Sequence, residues 1–479
     1  MRPILRIPNN MYKHHMKRIR TYFLVVLSIV VLAGCMVGKK YSKPEPQPGI
    51  EFPNATTTDT SRLLQWFEIY HDTVLQRLIK TTLDSNRDFL TAAARIEETR
   101  AQTGAIKANL YPHFGYQAQA GGGSAGTDAT KVSGGIQGAL FNVFGVLNWE
   151  LDIWGKLRRA TKAAENDMLS SMATREALQV SLVAEVASDY FLLRDLDNRL
   201  LISQHTLAAR HENTKIISER FEKGYVAELD KLWAISQEAI AAVAVPENSR
   251  QITQVENALR VLMGLGPGPI PRGATNYDQQ ISPDIPVGLP SQLLERRPDV
   301  MAAEFALQAQ FERIGVAQAN MFPTLSLTGI LGFASPELST LISSKGLVAN
   351  GFGGLVGPLF NFNQNKKLVE VAKRQTEELY YQYQQTALNA FSDVDNALAA
   401  YRAYNEEYEQ TKILAGAAEK ALRLSEARYD NGFTSYLEVL IQQTNLFDAQ
   451  IQESTLLQLK LNAIVTLYKA LGGGWDMPR

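Results

Sequence analysis

Apolar and polar residues alternate at period two in three stretches of the chain. In HFGYQAQA (113–120), Phe114, Tyr116, Ala118 and Ala120 alternate with Gly115, Gln117 and Gln119. In VLNWELDI (146–153), Leu147, Trp149, Leu151 and Ile153 alternate with Asn148, Glu150 and Asp152. In TLSLTGILGF (324–333), Leu325, Leu327, Leu331 and Phe333 alternate with Thr324, Ser326 and Thr328. Such alternation predicts strands with one polar side. We place strands at 112–122, 133–152, 323–333 and 350–362; the last alternates poorly and rests on its position in an internal repeat. GGGSAGTDATKVSGG and ASPELSTLISSKG read as loops between them.

Between the strands the pattern turns helical. Ala-rich stretches at 87–110 and 298–321 run into Pro112 and Pro323, which disfavour helical geometry at the residue before them. Two much longer stretches, 156–222 and 365–430, hold no proline and almost no glycine. At 1.5 Å per residue each spans roughly 100 Å, which implies a coiled coil or a comparable assembly. Leu414, Ala417, Ala421 and Leu424 offer a heptad seam. Return helices follow to 264 and 471, with a kink expected at Pro246.

The order of elements occurs twice. RFEKGYVAELDKL (220–232) and RYDNGFTSYLEVL (428–440) match at an offset of 208. Trp154 and Phe362, Val186 and Val394, and Arg194 and Arg402 keep that offset, while AIKANLYP and GVAQANMFP end at Pro112 and Pro323, 211 apart. A long unit is therefore duplicated. The predicted organisation is a signal segment at 1–34, a tether at 35–60, repeat one at 61–264, a linker at 265–290, repeat two at 291–471 and a tail at 472–479.

Composition narrows the function. With 45% hydrophobic residues the 479-residue chain can bury a sizeable core, and a net charge of −1 offers nucleic acid no basic surface. Cys35 is the sole cysteine, so an intrachain disulfide is excluded. It follows a basic region (Lys13, Lys17, Arg18, Arg20), an apolar run and Leu-Ala-Gly, which is a secretory signal too short to span a bilayer. Met11 and Met16 are alternative starts to Met1. LAGC (32–35) resembles the bacterial lipobox, which implies S-diacylglycerol and N-acyl chains on Cys35; an ordinary signal peptide is the plainer reading. Met36 in place of Asp implies the outer membrane, and the Pro-rich KKYSKPEPQPGIEFPN reads as an extended tether.

Four amphipathic strands of this kind resemble outer-membrane strands, but four cannot close a barrel, and an open edge in lipid costs several kcal/mol per unpaired group. Copies must share a barrel; three copies give twelve strands, strand counting alone also admits a dimer, and a soluble sheet is the bland alternative. A polar lumen continued by a helical tube makes a duct.

LAGC, the repeated Ala-Asn…Pro ending, ERRPDV (295–300) and the doubled RxxxGxxxxL[DE]xL turns resemble TolC-like outer-membrane efflux proteins, in particular the NodT-type lipoprotein channels of RND tripartite pumps. The resemblance covers nearly the whole mature chain. It implies an α+β membrane protein: a homotrimer with a twelve-stranded barrel, a coiled-coil helical barrel, a periplasmic adaptor and an inner-membrane RND pump as partners. The two turns would then be periplasmic tips. Arg220, Gly224, Leu229, Arg428, Gly432 and Leu437 are the candidate adaptor contacts, and Asp230, Tyr429 and Glu438 the candidate pore constriction. Thr434 and Ile441 depart from the basic and acidic residues found there in some relatives. Helix capping is the plainer reading of the turns. Ser435 and Glu438 fit a capping box that Ala227 denies the first copy, so the first tip is expected to be softer.

Enzymatic signatures do not emerge. The six histidines form no HExxH motif, His205 and His211 do not share a helix face, and neither GFGGLVG nor WGK has phosphate-loop spacing. No metal, cofactor, nucleotide or nucleic-acid site is expected, so energy must come from a partner. The reading is a passive exit channel for small toxic compounds; a duct for polypeptides and a non-channel envelope lipoprotein are its alternatives. ERRPDV reads as a helix start, with Pro298 and Asp299 in the first turn.

Overall fold

The computed structural model describes residues 36–44, 66–120, 141–279 and 296–473. The signal segment, Cys35, most of the tether and most of the C-terminal tail lie outside them. In chain order the elements are α1 (Thr73–Ser85), α2 (Arg87–Ala108), β1 (His113–Ala120), β2 (Phe141–Leu151), α3 (Lys156–Glu222), α4 (Glu228–Leu262), α5 (Pro298–Ala319), β3 (Thr324–Ser335), β4 (Leu347–Val356), α6 (Gln364–Asp430) and α7 (Tyr436–Ala470). They divide between two compact units, built from the described parts of Met1–Pro44, Glu97–Leu169 and Glu304–Gln382, and of Glu45–Ile96, Ser170–Ala303 and Tyr383–Arg479.

The first unit holds an antiparallel sheet in the order β1-β2-β3-β4. Every strand joins its helix at the same end of the sheet, because His113 pairs with Asn148, Leu151 with Leu325, and Thr324 with Val356. Trp154 closes one such junction by stacking on Phe322 at 4.8 Å while its Nε1 donates to the Pro323 carbonyl at 2.8 Å. Asp152 caps α3, accepting from the backbone N–H groups of Leu157 and Arg158, each at 2.9 Å. One strand boundary differs from expectation and one lies outside the described residues. Within the predicted 133–152 strand, residues 133–140 are outside the described part. The fourth strand begins at Leu347 and stops at Val356, not at 362, because Gly357 abuts Pro323 and Pro358 has no N–H for the ladder. The chain then turns through Phe362 and Asn363, whose φ values are 48° and 65°.

The second unit packs α1 and parts of α3, α4 and α7 around Leu75, Ile79, Tyr190, Phe191, Leu259, Leu461 and Val465. The predicted linker is partly pinned here: Ile270 is buried, Arg272 pairs with Asp197 and Glu256, and the N–H groups of Gly273 and Ala274 donate to Tyr190 and Asp72. Arg297 of ERRPDV binds Asp299, Asp393 at 3.0 Å and the Ala470 carbonyl at 3.1 Å, so the motif fastens the start of α5. Helix α4 continues through Pro246. The predicted heptad seam is shifted by one residue. Thr411, Ala415, Ala418 and Ser425 are buried, and Ala415 and Ala418 pack against Ala449, whereas Leu414 and Leu424 are exposed. Among the described residues no helix is long and apolar enough to cross a membrane.

Candidate functional site: a one-sided sheet and two helical turns

The strand register turns the period-two patterns into two faces. Phe114 pairs with Leu147, Tyr116 with Gly145 and Ala118 with Val143. Val143 pairs with Phe333, Trp149 with Leu327 and Leu151 with Leu325, which in turn pairs with Leu355. One face is thus apolar across all four strands. The other is mixed: Gln117, Gln119, Asn142, Asn148, Thr328, Ser326 and Asn350 share it with Phe144, Val146, Ile330, Val348 and Phe352. Among the described residues β1 and β4 each leave an unpaired edge, so a lipid-exposed sheet of this kind needs further strands beside it.

In the second unit the two repeated turns share one geometry. Gly224 and Gly432 have φ of +73° and +77°, the left-handed region that glycine reaches without strain. The N–H of Tyr225 donates to the Arg220 carbonyl at 2.9 Å and that of Gly224 to Phe221 at 2.9 Å; Phe433 and Gly432 repeat this on Arg428 and Tyr429 at 2.8 and 2.9 Å. Both are Schellman caps. The turns share a small core of Ile217, Ala234, Tyr436, Val439 and Leu440, flanked by Trp233, Leu422 and Tyr429.

The predicted capping box does not form. Neither Ala227 nor Ser435 makes a side-chain cap. Glu438 accepts from the Thr434 hydroxyl and from Arg428 at 3.3 Å, so its carboxylate is already engaged when it could reach the Ser435 N–H. The expected softness of the first tip loses the capping argument on which it rested.

Of the candidate constriction residues, Tyr429 and Asp230 both lie near Tyr436, while Glu438 is engaged by Arg428 and Thr434. The Tyr429 ring lies 5.5 Å from that of Tyr436 and 5.3 Å from the Arg220 guanidinium, which also approaches Asp430 at 3.8 Å. Burial first, then Tyr429 and the Asp230 carboxylate, push the Tyr436 hydroxyl up to about 12. Gly224, Leu229, Arg428, Gly432 and Leu437 are exposed, and Arg220 is half-buried. The aromatics after each glycine are not among the sequence-predicted candidates, yet Tyr225 is 77% and Phe433 76% exposed. Their place in the doubled motif is the signal that could have found them. A groove of about 390 Å³ between α4 and α7 is lined by Trp233, Gln237, Leu437, Ile441 and Thr444.

An antiparallel sheet with one continuous apolar face, joined to long paired helices, defines an α+β membrane protein of the conduit type. The sequence profile of outer membrane efflux proteins matches residues 78–265 and 289–473. The chain is 32% identical over 469 residues to the toluene efflux pump outer membrane protein TtgC of Pseudomonas putida, covering 94% of this chain and 95% of TtgC. It is 29% identical over 468 residues to the probable outer membrane lipoprotein SilC of Salmonella typhimurium, covering 94% and 98%. The open-state structure of the Neisseria gonorrhoeae MtrE outer membrane channel superposes with a TM-score of 0.83 at 30% identity, covering 92% of this chain and 98% of MtrE. The chain belongs to the outer membrane efflux protein family. It is an outer-membrane protein of efflux, in a family of channels rather than enzymes.

Proposed function

We propose that three copies close a twelve-stranded barrel and form the passive exit channel of a tripartite pump. The channel passes small toxic compounds from an inner-membrane RND pump and a periplasmic adaptor to the exterior. It is anchored by lipid on Cys35, and it neither catalyses a reaction nor carries a cofactor. The observation that carries this reading is the register-aligned apolar face of a sheet whose two edges are open among the described residues, since lipid tolerates such a sheet only when neighbouring strands complete it. The repeats 61–264 and 291–471 supply equivalent hairpins to the tube. The turns at Gly224 and Gly432 offer the adaptor their exposed residues, and Asp230, Tyr429 and Glu438 narrow the closed mouth. The family, and the probable outer membrane lipoprotein SilC among its relatives, support the setting. Deleting the gene in a strain lacking related channels should raise susceptibility to dyes, detergents and drugs, and a plasmid copy should restore resistance. Unchanged susceptibility, with the protein demonstrably present in the parent's outer membrane, would overturn the assignment.

A further inference from the structure

The most deeply buried guanidinium in the first unit holds the beginning of the chain. Arg159, 2% exposed, donates from Nε to the Val37 carbonyl at 2.9 Å, from Nη2 to the Lys39 carbonyl at 3.0 Å, and from Nη1 to Glu312 at 2.6 Å. The Val37 N–H donates to the Trp154 carbonyl at 3.1 Å, the Tyr41 ring meets Phe311 edge-on at 5.6 Å, and Lys43 pairs with Glu304 at 2.8 Å. The surroundings are cut to fit. A methyl at Gly315 would overlap the Arg159 side chain, and one at Gly155 (φ +77°) would meet Met36. Gly38 turns at φ +98°, with Gln318 Oε1 where its Cβ would sit.

The duplication supplies an internal control. Arg159 corresponds at the 208 offset to Lys367, whose side chain is 75% exposed and pairs only along its own helix with Glu370. Gly315 corresponds at the 211 offset to Gly104, where an added methyl would meet nothing within 4 Å. A feature built for general stability would serve both copies. This one exists only where the single N-terminus of the chain arrives.

We propose that Arg159, backed by Glu312 and Gly315, is a receptor site for the chain's own segment 36–43. Seating that segment holds Met36, the residue that follows Cys35 in the sequence, against Gly155 at the helix end of the sheet. The second half rests on the reading that Cys35 carries lipid. An arginine suits the task because its planar fork serves two carbonyls and a carboxylate at once, which a lysine cannot.

Trypsin treatment of the detergent-purified, full mature protein tests this, because cleavage after Lys40 requires the segment to leave the site. Release of the N-terminal peptide should be slow in the parent. It should be about tenfold or more faster in Arg159→Lys and in Gly38→Ala, the second of which leaves the Arg159–Glu312 pair in place. Both variants should keep the parent's helical circular dichroism and cooperative melt, which separates unseating from misfolding. Equal release from parent and Gly38→Ala would overturn the receptor. Mass spectrometry of the released peptide reads the other half: a protected segment without lipid overturns the anchoring role and the lipoprotein reading while leaving the receptor intact.

Discussion

At the scale of single residues, hydrogen-bond supply decides what a charge does. Asp72 is buried, which pushes its carboxyl up. Bonds from Gln279 and Tyr190 and from the N–H groups of Val74 and Leu75 outweigh burial and hold it below the usual carboxylate range. A depressed acid contributes stability that is present above its unfolded value, about 3.9, and is lost as pH falls through the lower folded value. Asp72→Asn should therefore melt lower than the parent at neutral pH, by about 1–3 kcal/mol of stability, and the gap should narrow below pH 4 in thermal melts. His211 has the opposite sign. Its hydrogen bond and charge pairing with Glu238, at 2.7 Å, raise it, so the α3–α4 link is complete below about pH 6.5 and fades as pH climbs through the raised folded value. Amide protection around 205–215, with exchange corrected for its intrinsic rise with pH, should fall as pH climbs through the raised His211 value, and Glu238→Gln should flatten that response. Neither node was legible in the sequence. Asp72 lies 202 positions from Ala274, and motif spacing cannot report such a meeting. Glu438 shows a local version of the same limit: Thr434 and Ser435 both offer hydroxyls, and only the turn's geometry selects the first.

Elements were legible to the extent that side chains advertise their period. The first three strands alternate plainly, while β4 hides its faces because Gly351, Gly353 and Gly354 carry no side chains to read. Helix α3 ends at Glu222 and α6 at Asp430, as glycine placement predicts, since Gly224 and Gly432 adopt the left-handed turn that stops each helix. The seam on α6 was readable as a heptad but not in its register. A seam of alanine and serine looks weaker than one of leucine, yet it permits the tighter approach against Ala449. The tips differ through the Thr434–Glu438–Arg428 bridge, which the first copy cannot build because Ala227 and Val226 precede its acidic residue. Thr434→Val should thus remove one charge-assisted bond, worth about 1 kcal/mol at this half-exposed site, and speed amide exchange at 432–440 roughly fivefold. Residues 224–232 should not change. Equal exchange in parent and variant would show that the bridge holds nothing.

For the whole molecule, duplication and incompleteness belong together. Two copies of one unit supply two hairpins and four strands, and both repeats close with the same glycine turn, at Gly264 and Gly472. What the repeats leave undone is the sheet, whose β1 and β4 edges have no partner among the described residues. In water such edges invite aggregation; in lipid they are ruled out unless filled, and the alternating up-and-down order lets β4 of one copy pair antiparallel with β1 of the next. That neighbour relation can be trapped, because Cys35 is the chain's sole native thiol. Tyr116 on β1 and Ala349 or Gly351 on β4 all belong to the apolar face, at or next to the same ladder level. Barrel closure staggers the strands, so both pairings need testing. Tyr116→Cys combined with Ala349→Cys or with Gly351→Cys, oxidised in outer membranes, should give covalent dimers and trimers on denaturing gels for at least one pairing. Each single variant should stay monomeric. Crosslinks capped at dimers would mean two copies close the barrel, and the absence of any crosslink across a full set of β1 and β4 positions would mean the edges meet something other than this chain.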